Sequence, residues 1–290
     1  MNTPLINFLS EPLALGTLTA ILGLLVGSFL NVVIFRLPVM MEQSWRRDCD
    51  EFSGKEHVPG ERFDLVMPRS RCPHCGHMVT ARDNIPILSY LLLRGRCRAC
   101  GAHISLRYPM VELLTAVVTV STALHFGPTT QGLFAVLLAW ALIALSFIDF
   151  DKHLLPDSIT LPMLWLGLLL SLFGIYTDSQ ASIIGAAAGY LSLWSIYQLF
   201  RLLTGKEGMG YGDFKLFALF GAWLGWQSLP LVILLSSAVG AVIGLSLILF
   251  RGRDRNIPIP FGPYLAIAGW IALLWGEQIT AWYLRTALPA

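Results

Sequence analysis

Apolar positions along this chain fall into long runs almost free of charge, at residues 13–34, 110–124, 132–147, 159–176, 181–203, 214–226, 229–250 and 261–284. About 18 consecutive apolar residues suffice to cross the hydrocarbon core of a bilayer. The pattern predicts an all-α polytopic membrane protein with about eight transmembrane helices. The run at 214–226 is the shortest and is interrupted by Gly221 and Gly225. One long hydrophilic stretch breaks the series. It divides the chain into a first transmembrane helix (1–35), a polar segment (36–109) and a transmembrane core (110–290).

Composition agrees. Hydrophobic residues make up 55% of the 290 positions and charged residues only 13%, against roughly 25% charge in a soluble domain. Mean hydropathy is +0.65. No Lys or Arg precedes Arg36, so the first run lacks the basic flank of a secretory signal and reads as a retained helix. Charge distribution then orients the chain. Twelve of the 20 Lys and Arg lie from Arg36 to Arg107. Counting alternate sides from there, Lys152, Arg201, Lys206, Lys215, Arg251, Arg253 and Arg255 share that face, and only Arg285 falls opposite. The positive-inside rule places the polar segment in the cytoplasm and both termini across the membrane.

The polar segment carries RCPHCGHMV at 71–79 and RCRACGAHI at 96–104, two copies of Arg-Cys-x-x-Cys-Gly. Each copy aims two thiolates at one point, and four thiolates (Cys72, Cys75, Cys97, Cys100) suit a closed tetrahedral zinc site of the structural kind. Gly76 and Gly101 are expected to let backbone N–H groups approach the sulfurs without a Cβ in the way. Two disulfides are the competing reading, which a reducing cytoplasm disfavours. Cys49 is left over. His74, His77 and His103 are further candidate ligands that read better as surface residues. The acidic cluster Asp48, Asp50, Glu51, Glu56 and Glu61 reads as a solvated, partly disordered loop.

Two junctions on the predicted cytoplasmic face carry carboxylates where an apolar run begins or ends. The first is SFIDFDKHLLPD (146–157), with Asp149, Asp151 and Asp157. The second is GMGYGDFKL (208–216), with Gly208, Gly210, Gly212 and Asp213. Glycine-rich backbone at membrane depth belongs where it is packed in protein or lines a wet cavity. With no Gly-Lys-Ser/Thr and no preceding strand, a phosphate-binding loop is not indicated. Alone, Asp213 would be a helix N-cap and Asp149 an interfacial charge. Near-membrane carboxylates are nonetheless functional candidates. Two that meet in a partly dehydrated cleft share one proton, which is what a pair of aspartates needs to activate water and polarise an amide carbonyl.

These two motifs, with the four cysteines, GSFLNVVIFRLP (27–38) and SLRYPMVELLT (105–115), resemble the bacterial type IV prepilin peptidases, membrane aspartic proteases of the Gly-x-Gly-Asp class. The resemblance spans nearly the whole chain. It implies a bifunctional enzyme of the bacterial inner membrane. Such an enzyme cuts the basic leader from prepilins and type II secretion pseudopilins after a glycine, then methylates the new N-terminus with S-adenosylmethionine. It places the catalytic aspartates at Asp149 and Asp213, with Gly210 and Gly212 shaping the loop or contacting substrate. Asp151 and Asp157 fall outside its catalytic positions and read as solvated or as capping the helix that follows. Lys152 and Lys215 read as snorkelling anchors or as substrate contacts, and Glu112 as a paired structural carboxylate. The partners implied are prepilins and lipid, with no nucleic acid. No Rossmann fingerprint is present, so no residue is assigned to the methyl donor. A membrane transporter or assembly scaffold using Asp149 and Asp213 as a proton relay is the rival reading.

Overall fold

The computed structural model describes residues 11–54, 62–251 and 260–287. Regular structure among the described residues is helical, joined by short turns and two isolated β-bridges. In chain order the helices are α1 Pro12–Phe52, α2 Leu88–Leu92, α3 Arg107–Phe126, α4 Thr130–Lys152, α5 Asp157–Ser171, α6 Ser179–Thr204, α7 Tyr211–Leu224, α8 Leu229–Arg251 and α9 Gly262–Ala287. Eight of them overlap the eight predicted runs, although α5 stops at Ser171, short of the predicted 176, and α7 at Leu224, short of 226. Among the described residues, five helical segments are long and apolar enough to cross a membrane: Pro12–Phe52, Arg107–Phe126, Thr130–Lys152, Ser179–Thr204 and Trp226–Ile243.

The chain divides into two compact units, Met1–Gly132 and Leu133–Ala290. In the first, α1 lies directly against α3. A Cβ on Gly23 would stand 2.6 Å from the Cα of Ala116, and one on Gly27 2.7 Å from the Cα of Glu112. Only glycine lets the two backbones come that close, the small-xxx-small solution to packing in lipid. The buried hydroxyls of Thr115 and Thr119 donate to the carbonyls of Val111 and Thr115, at 2.7 and 2.6 Å. Asn31 Nδ2 donates across to the Tyr108 carbonyl at 3.1 Å. The stretches 27–38 and 105–115 are therefore two faces of one interface.

Helix α1 does not stop at Ile34. It runs through Pro38 to Phe52, so Asp48, Asp50 and Glu51 are helical and do not form the expected loop. Glu56 and Glu61, like Arg253 and Arg255, lie outside the described residues. The polar continuation carries no apolar run, which is why hydropathy missed it. Arg36 is buried on α1. Its guanidinium donates to the carbonyls of Asp64, at 2.9 Å, and Pro68, and sits 5.7 Å from the Phe63 ring centroid. Asp64 in turn caps the amides of Val66 and Met67, each at 2.7 Å. Those two amides, that of Met67 foremost, together with Arg62, pull its carboxyl down to about 2.

The second unit is built round α7. Residues 213, 214 and 216–223 of this 14-residue helix are all buried, as expected of a helix apolar on every side. Helix α6 meets it through Gly185 and Gly189, against the backbone at Gly221 and at Phe217–Ala218. Ser182 Oγ donates to the Ala222 carbonyl at 2.6 Å. Helix α5 meets it through Gly167, which faces the Trp223 indole, while Trp223 Nε1 donates to the Met163 carbonyl at 2.8 Å. Helix α9 also packs on α7, with Gly269 against the Phe220 ring. The shortest predicted run is thus the most enclosed. Gly221 is a contact surface, while Gly225, at φ 77°, ends the helix.

Candidate active site and candidate metal centre

The four cysteines converge. Their Sγ atoms all lie within 4.8 Å of one another, and Cys72 Sγ stands 3.8 Å from Cys100 Sγ. A tetrahedral ion bonded to four sulfurs at ~2.3 Å separates them by about 3.8 Å, so the donor set fits zinc. The site is built from two near-identical turns. In one, Cys72 N–H donates to the His77 carbonyl and Gly76 N–H to the Cys72 carbonyl, both at 2.9 Å. In the other, Cys97 N–H donates to Ala102 at 2.8 Å and Gly101 N–H to Cys97 at 2.9 Å. The bridges Arg71–Met78 and Arg96–His103 close the turns.

The reason for the glycines differs from the expected one. Gly76 and Gly101 have φ of 70° and 72°, and a Cβ at either would meet nothing within 4 Å. They are needed for left-handed backbone, not for close approach. The amides of Cys75 and then His74 draw the Cys72 thiol down to about 7, and those of Cys100 and Ala99 lower Cys97 in the same way. At Cys75, against the pull of the His77 amide, burial and the neighbouring Cys100, Cys72 and Cys97 sulfurs push the thiol up to about 12, so the thiolate, the ligand form of cysteine, is favoured at Cys72 and Cys97. His74, His77 and His103 are exposed and stand outside this cluster.

In the other unit, Asp149 and Asp213 come from opposite kinds of helix end. Asp149 lies in the last turn of α4, and Asp213 is the third residue of α7. Each is buried, with 6% of its surface exposed. Asp213 does not act as an N-cap: Gly210 holds that position and no side chain caps it. Instead, Asp213 N–H donates to the Gly210 carbonyl at 3.2 Å, while the Gly210 amide donates back to the carboxylate. This is the reciprocal pattern of a capping box with an aspartate at the third position. It leaves Asp213 Oδ1 buried without a hydrogen-bond partner. A buried polar atom in that state needs an explanation, and a water or a substrate group is the simplest.

Asp149 Oδ2 accepts a hydrogen bond from the backbone N–H of Gly262, at 3.0 Å. One residue then ties the two acids together. Leu155, in the link between α4 and α5, packs on the Gly212 position from one side and the Gly262 position from the other. A Cβ on Gly212 would be 2.7 Å from Leu155 Cβ, and one on Gly262 3.2 Å from Leu155 Cδ2. The two carboxylates lie close enough for the charge of one to act on the other. Gly210 is less confined, since a Cβ there would meet only ordinary contacts, the nearest Asp213 Oδ2 at 3.7 Å.

Other sequence candidates fall elsewhere. Asp157 is the first residue of α5 and makes no cap bond. It pairs with Lys215, both carboxylate oxygens lying 2.7 Å from Nζ. Lys215 is thereby held by α5. Asp151 and Lys152 are exposed at the end of α4. Glu112 accepts the Ile87 amide at 2.7 Å and a bond from Ser28, so it ties the turn before α2 to α3. Gly262 and Leu155 are the site residues that sequence reasoning missed. Nothing in their types marks them as chemical, and the only signal is that Gly262 opens the last apolar run.

A helical membrane protein with two buried aspartates brought together across three helix ends, and a four-cysteine cluster in its other unit, is a narrow class. The comparisons narrow it further. Residues 21–126 match the bacterial peptidase A24 N-terminal domain, and residues 136–245 the type IV leader peptidase family. The chain is 59% identical over 275 residues to the prepilin leader peptidase/N-methyltransferase of Aeromonas salmonicida strain A449, covering 94% of each. It is 55% identical over 286 residues to that of Stutzerimonas stutzeri, covering 98% of this chain and 99% of the relative. Identity to that of Legionella pneumophila is 46% over 285 residues, with 98% of each covered. No solved structure matches. The chain belongs to the type IV leader peptidase family.

Proposed function

We propose that this protein is a prepilin leader peptidase and N-methyltransferase, with Asp149 and Asp213 as its catalytic pair. The observation that carries the peptidase reading is the convergence of these two buried carboxylates on one place, bridged by Leu155 and Gly262, with Asp213 Oδ1 left open. Two carboxylates so close hold one proton between them. The ionised one takes a proton from water as the water oxygen attacks the scissile carbonyl carbon. The protonated one donates to the carbonyl oxygen as its negative charge develops. Collapse of the tetrahedral species breaks the C–N bond. The leaving nitrogen takes the proton that the first carboxylate collected from water, the collapsing diol returns a hydroxyl proton to the second, and the pair ends with one proton as it began. No acyl-enzyme forms, so neither Ser nor Cys is needed.

The substrates on this reading are prepilins and type II secretion pseudopilins cut after a glycine. Their basic leader on the cytoplasmic side and apolar helix in the bilayer would put the scissile bond near the inner interface of the bacterial inner membrane. The charge distribution of the chain supports the same orientation, with both termini periplasmic. The second reaction uses the α-amine that cleavage exposes, with S-adenosylmethionine supplying an electrophilic methyl group. Cys72, Cys75, Cys97 and Cys100 would hold a structural zinc ion that fastens the two turns to each other.

Mass spectrometry of a purified prepilin incubated with the detergent-solubilised protein and S-adenosylmethionine tests both activities at once. Loss of the leader mass is expected, followed by addition of one methyl. Asp149→Asn and Asp213→Asn should each abolish leader loss while the protein retains its metal. Complete processing by either variant overturns the pair.

A further inference from the structure

Gly262 bears on the Asp149 carboxylate in two independent ways, through its amide and through its missing side chain. Gly262 is the first residue of α9. Its N–H is one of the four that a helix start leaves without an intrahelical partner, and it donates to Asp149 Oδ2 at 3.0 Å. The bond is buried and joins residues 113 apart in sequence. On the same residue, a Cβ would lie 2.7 Å from Asp149 Oδ2 and 3.2 Å from Asp149 Cγ. The first distance is too short for any real methyl group. Both the presence of the amide and the absence of a side chain therefore fix where the Asp149 carboxylate sits.

We infer that Gly262 is a positioning residue for the peptidase reaction: the amide at the start of α9 holds the Asp149 carboxylate in place, and any side chain at 262 displaces it. The inference rests on the reading of Asp149 as a catalytic group. It goes beyond that reading by bringing a third helix, α9, into the machinery that α4 and α7 supply. Not every glycine of α9 is so confined. Gly276 lies about two turns beyond Gly269 and would accept a Cβ with only ordinary contacts, at 3.8 Å from Ala272 and Leu231.

The atoms nearest a methyl at 262 belong to Asp149 and to Leu155, whose Cδ2 would be 3.2 Å away. This separates a positioning role from plain overpacking. In the full-length protein in detergent, Gly262→Ala should lower kcat for prepilin cleavage roughly 100-fold, the size of effect that displacing a reacting group by an ångström produces. KM, metal content, and methylation of an already cleaved pilin should stay within twofold of the parent. Gly276→Ala should match the parent in every respect. Leu155→Ala/Gly262→Ala, compared with Leu155→Ala, removes the second neighbour and should keep the 100-fold loss.

Recovery of kcat in that double variant would show that crowding of Leu155 was the cause, and would overturn the inference, as would a Gly262→Ala enzyme within twofold of the parent. If Gly262→Ala fails to fold, the double variant and its Leu155→Ala reference carry the same decision. Asp149→Asn run alongside keeps the two levels apart. An active Asp149→Asn removes the catalytic pair itself, whereas an inactive Asp149→Asn beside a fully active Gly262→Ala removes only the role of Gly262.

Discussion

The metal centre gives the sharpest quantitative expectation, because the segment around it has so little else to hold it. Between residues 62 and 107 no apolar side chain is among the buried core residues. The described contacts there are turn hydrogen bonds, the exposed Arg62–Asp64 pair at 2.6 Å, the Arg98–Asp83 pair at 2.7 Å, the Ile87 amide on Glu112 at 2.7 Å and the Arg36 clamp on residues 64 and 68. Exposed ion pairs are worth about 0–1 kcal/mol each. A structural zinc ion on thiolates contributes apparent free energies of about 10–16 kcal/mol at neutral pH, so the proposed ion would dominate. Cys100→Ser removes one of four ligands. If only ~4 kcal/mol of that binding is lost from the folded segment, the open population rises about 10³-fold, at 1.4 kcal/mol per decade. Eight arginines between 62 and 107 make trypsin a direct reporter of that opening. Under limiting protease, where cleavage follows the open population, the variant should be cut within 62–107 about 10³ times faster, and a chelated parent at least as fast. Cleavage within helices α5 to α7 should not change. Unchanged tryptic rates in a protein shown to be metal-free would refute the reasoning, because another source of stability would then have to exist.

Further expectations follow from single contacts. Gly212→Ala forces a methyl to 2.7 Å from Leu155 Cβ; overpacking of this kind costs about 1–3 kcal/mol, so thermal unfolding of the purified protein should come at lower temperature, with leader cleavage falling as well. Gly210→Ala meets nothing closer than 3.7 Å and should retain most of its stability, a contrast that one melting series on both variants would read. Lys215→Met breaks the exposed pair with Asp157 and should cost no more than ~1 kcal/mol, leaving cleavage within a fewfold; loss of all activity would instead make Lys215 a substrate contact. Arg36→Met removes two hydrogen bonds from a charged donor, worth about 1.5–3 kcal/mol each, and should raise amide hydrogen exchange across residues 62–68 while leaving that of α7 unchanged.

How much of this was legible in the sequence depends on what kind of pattern each feature leaves. The helices were, because a membrane helix satisfies its own backbone and announces itself by a run of apolar residues alone. The polar half of α1, beyond Ile34, was not, because a water-facing helix with no apolar stripe has no such run. The four cysteines were legible as a set, since identical spacing in two copies encodes one local turn made twice. The purpose of Gly76 and Gly101 was not, because spacing does not distinguish a residue needed for its φ from one needed for its missing Cβ. The helix that mattered most, α7, looked weakest for a related reason. Gly221 interrupts an apolar run on paper, but in the fold it is the surface on which Gly185 rests.

The acids show the same limit from the other side. A carboxylate beside an apolar run is compatible with a cap, an ion pair or a catalyst, and the chain holds a cap, an ion pair and the buried pair proposed to be catalytic. Asp178 caps α6 through the Ala181 amide at 2.9 Å, Asp157 pairs with Lys215, and Asp149 with Asp213 forms the buried pair. What separates them is the partner, and the partner is always distant in sequence or hidden in the backbone. Asp149 and Asp213 are 64 positions apart, and the group that fixes Asp149 is an amide 113 positions away on a residue with no side chain at all. Such a group leaves no chemical trace in a sequence. It becomes visible only when the helix start that exposes its N–H is set against the acid it serves, and that is why the constraint at 262 had to be read from the fold.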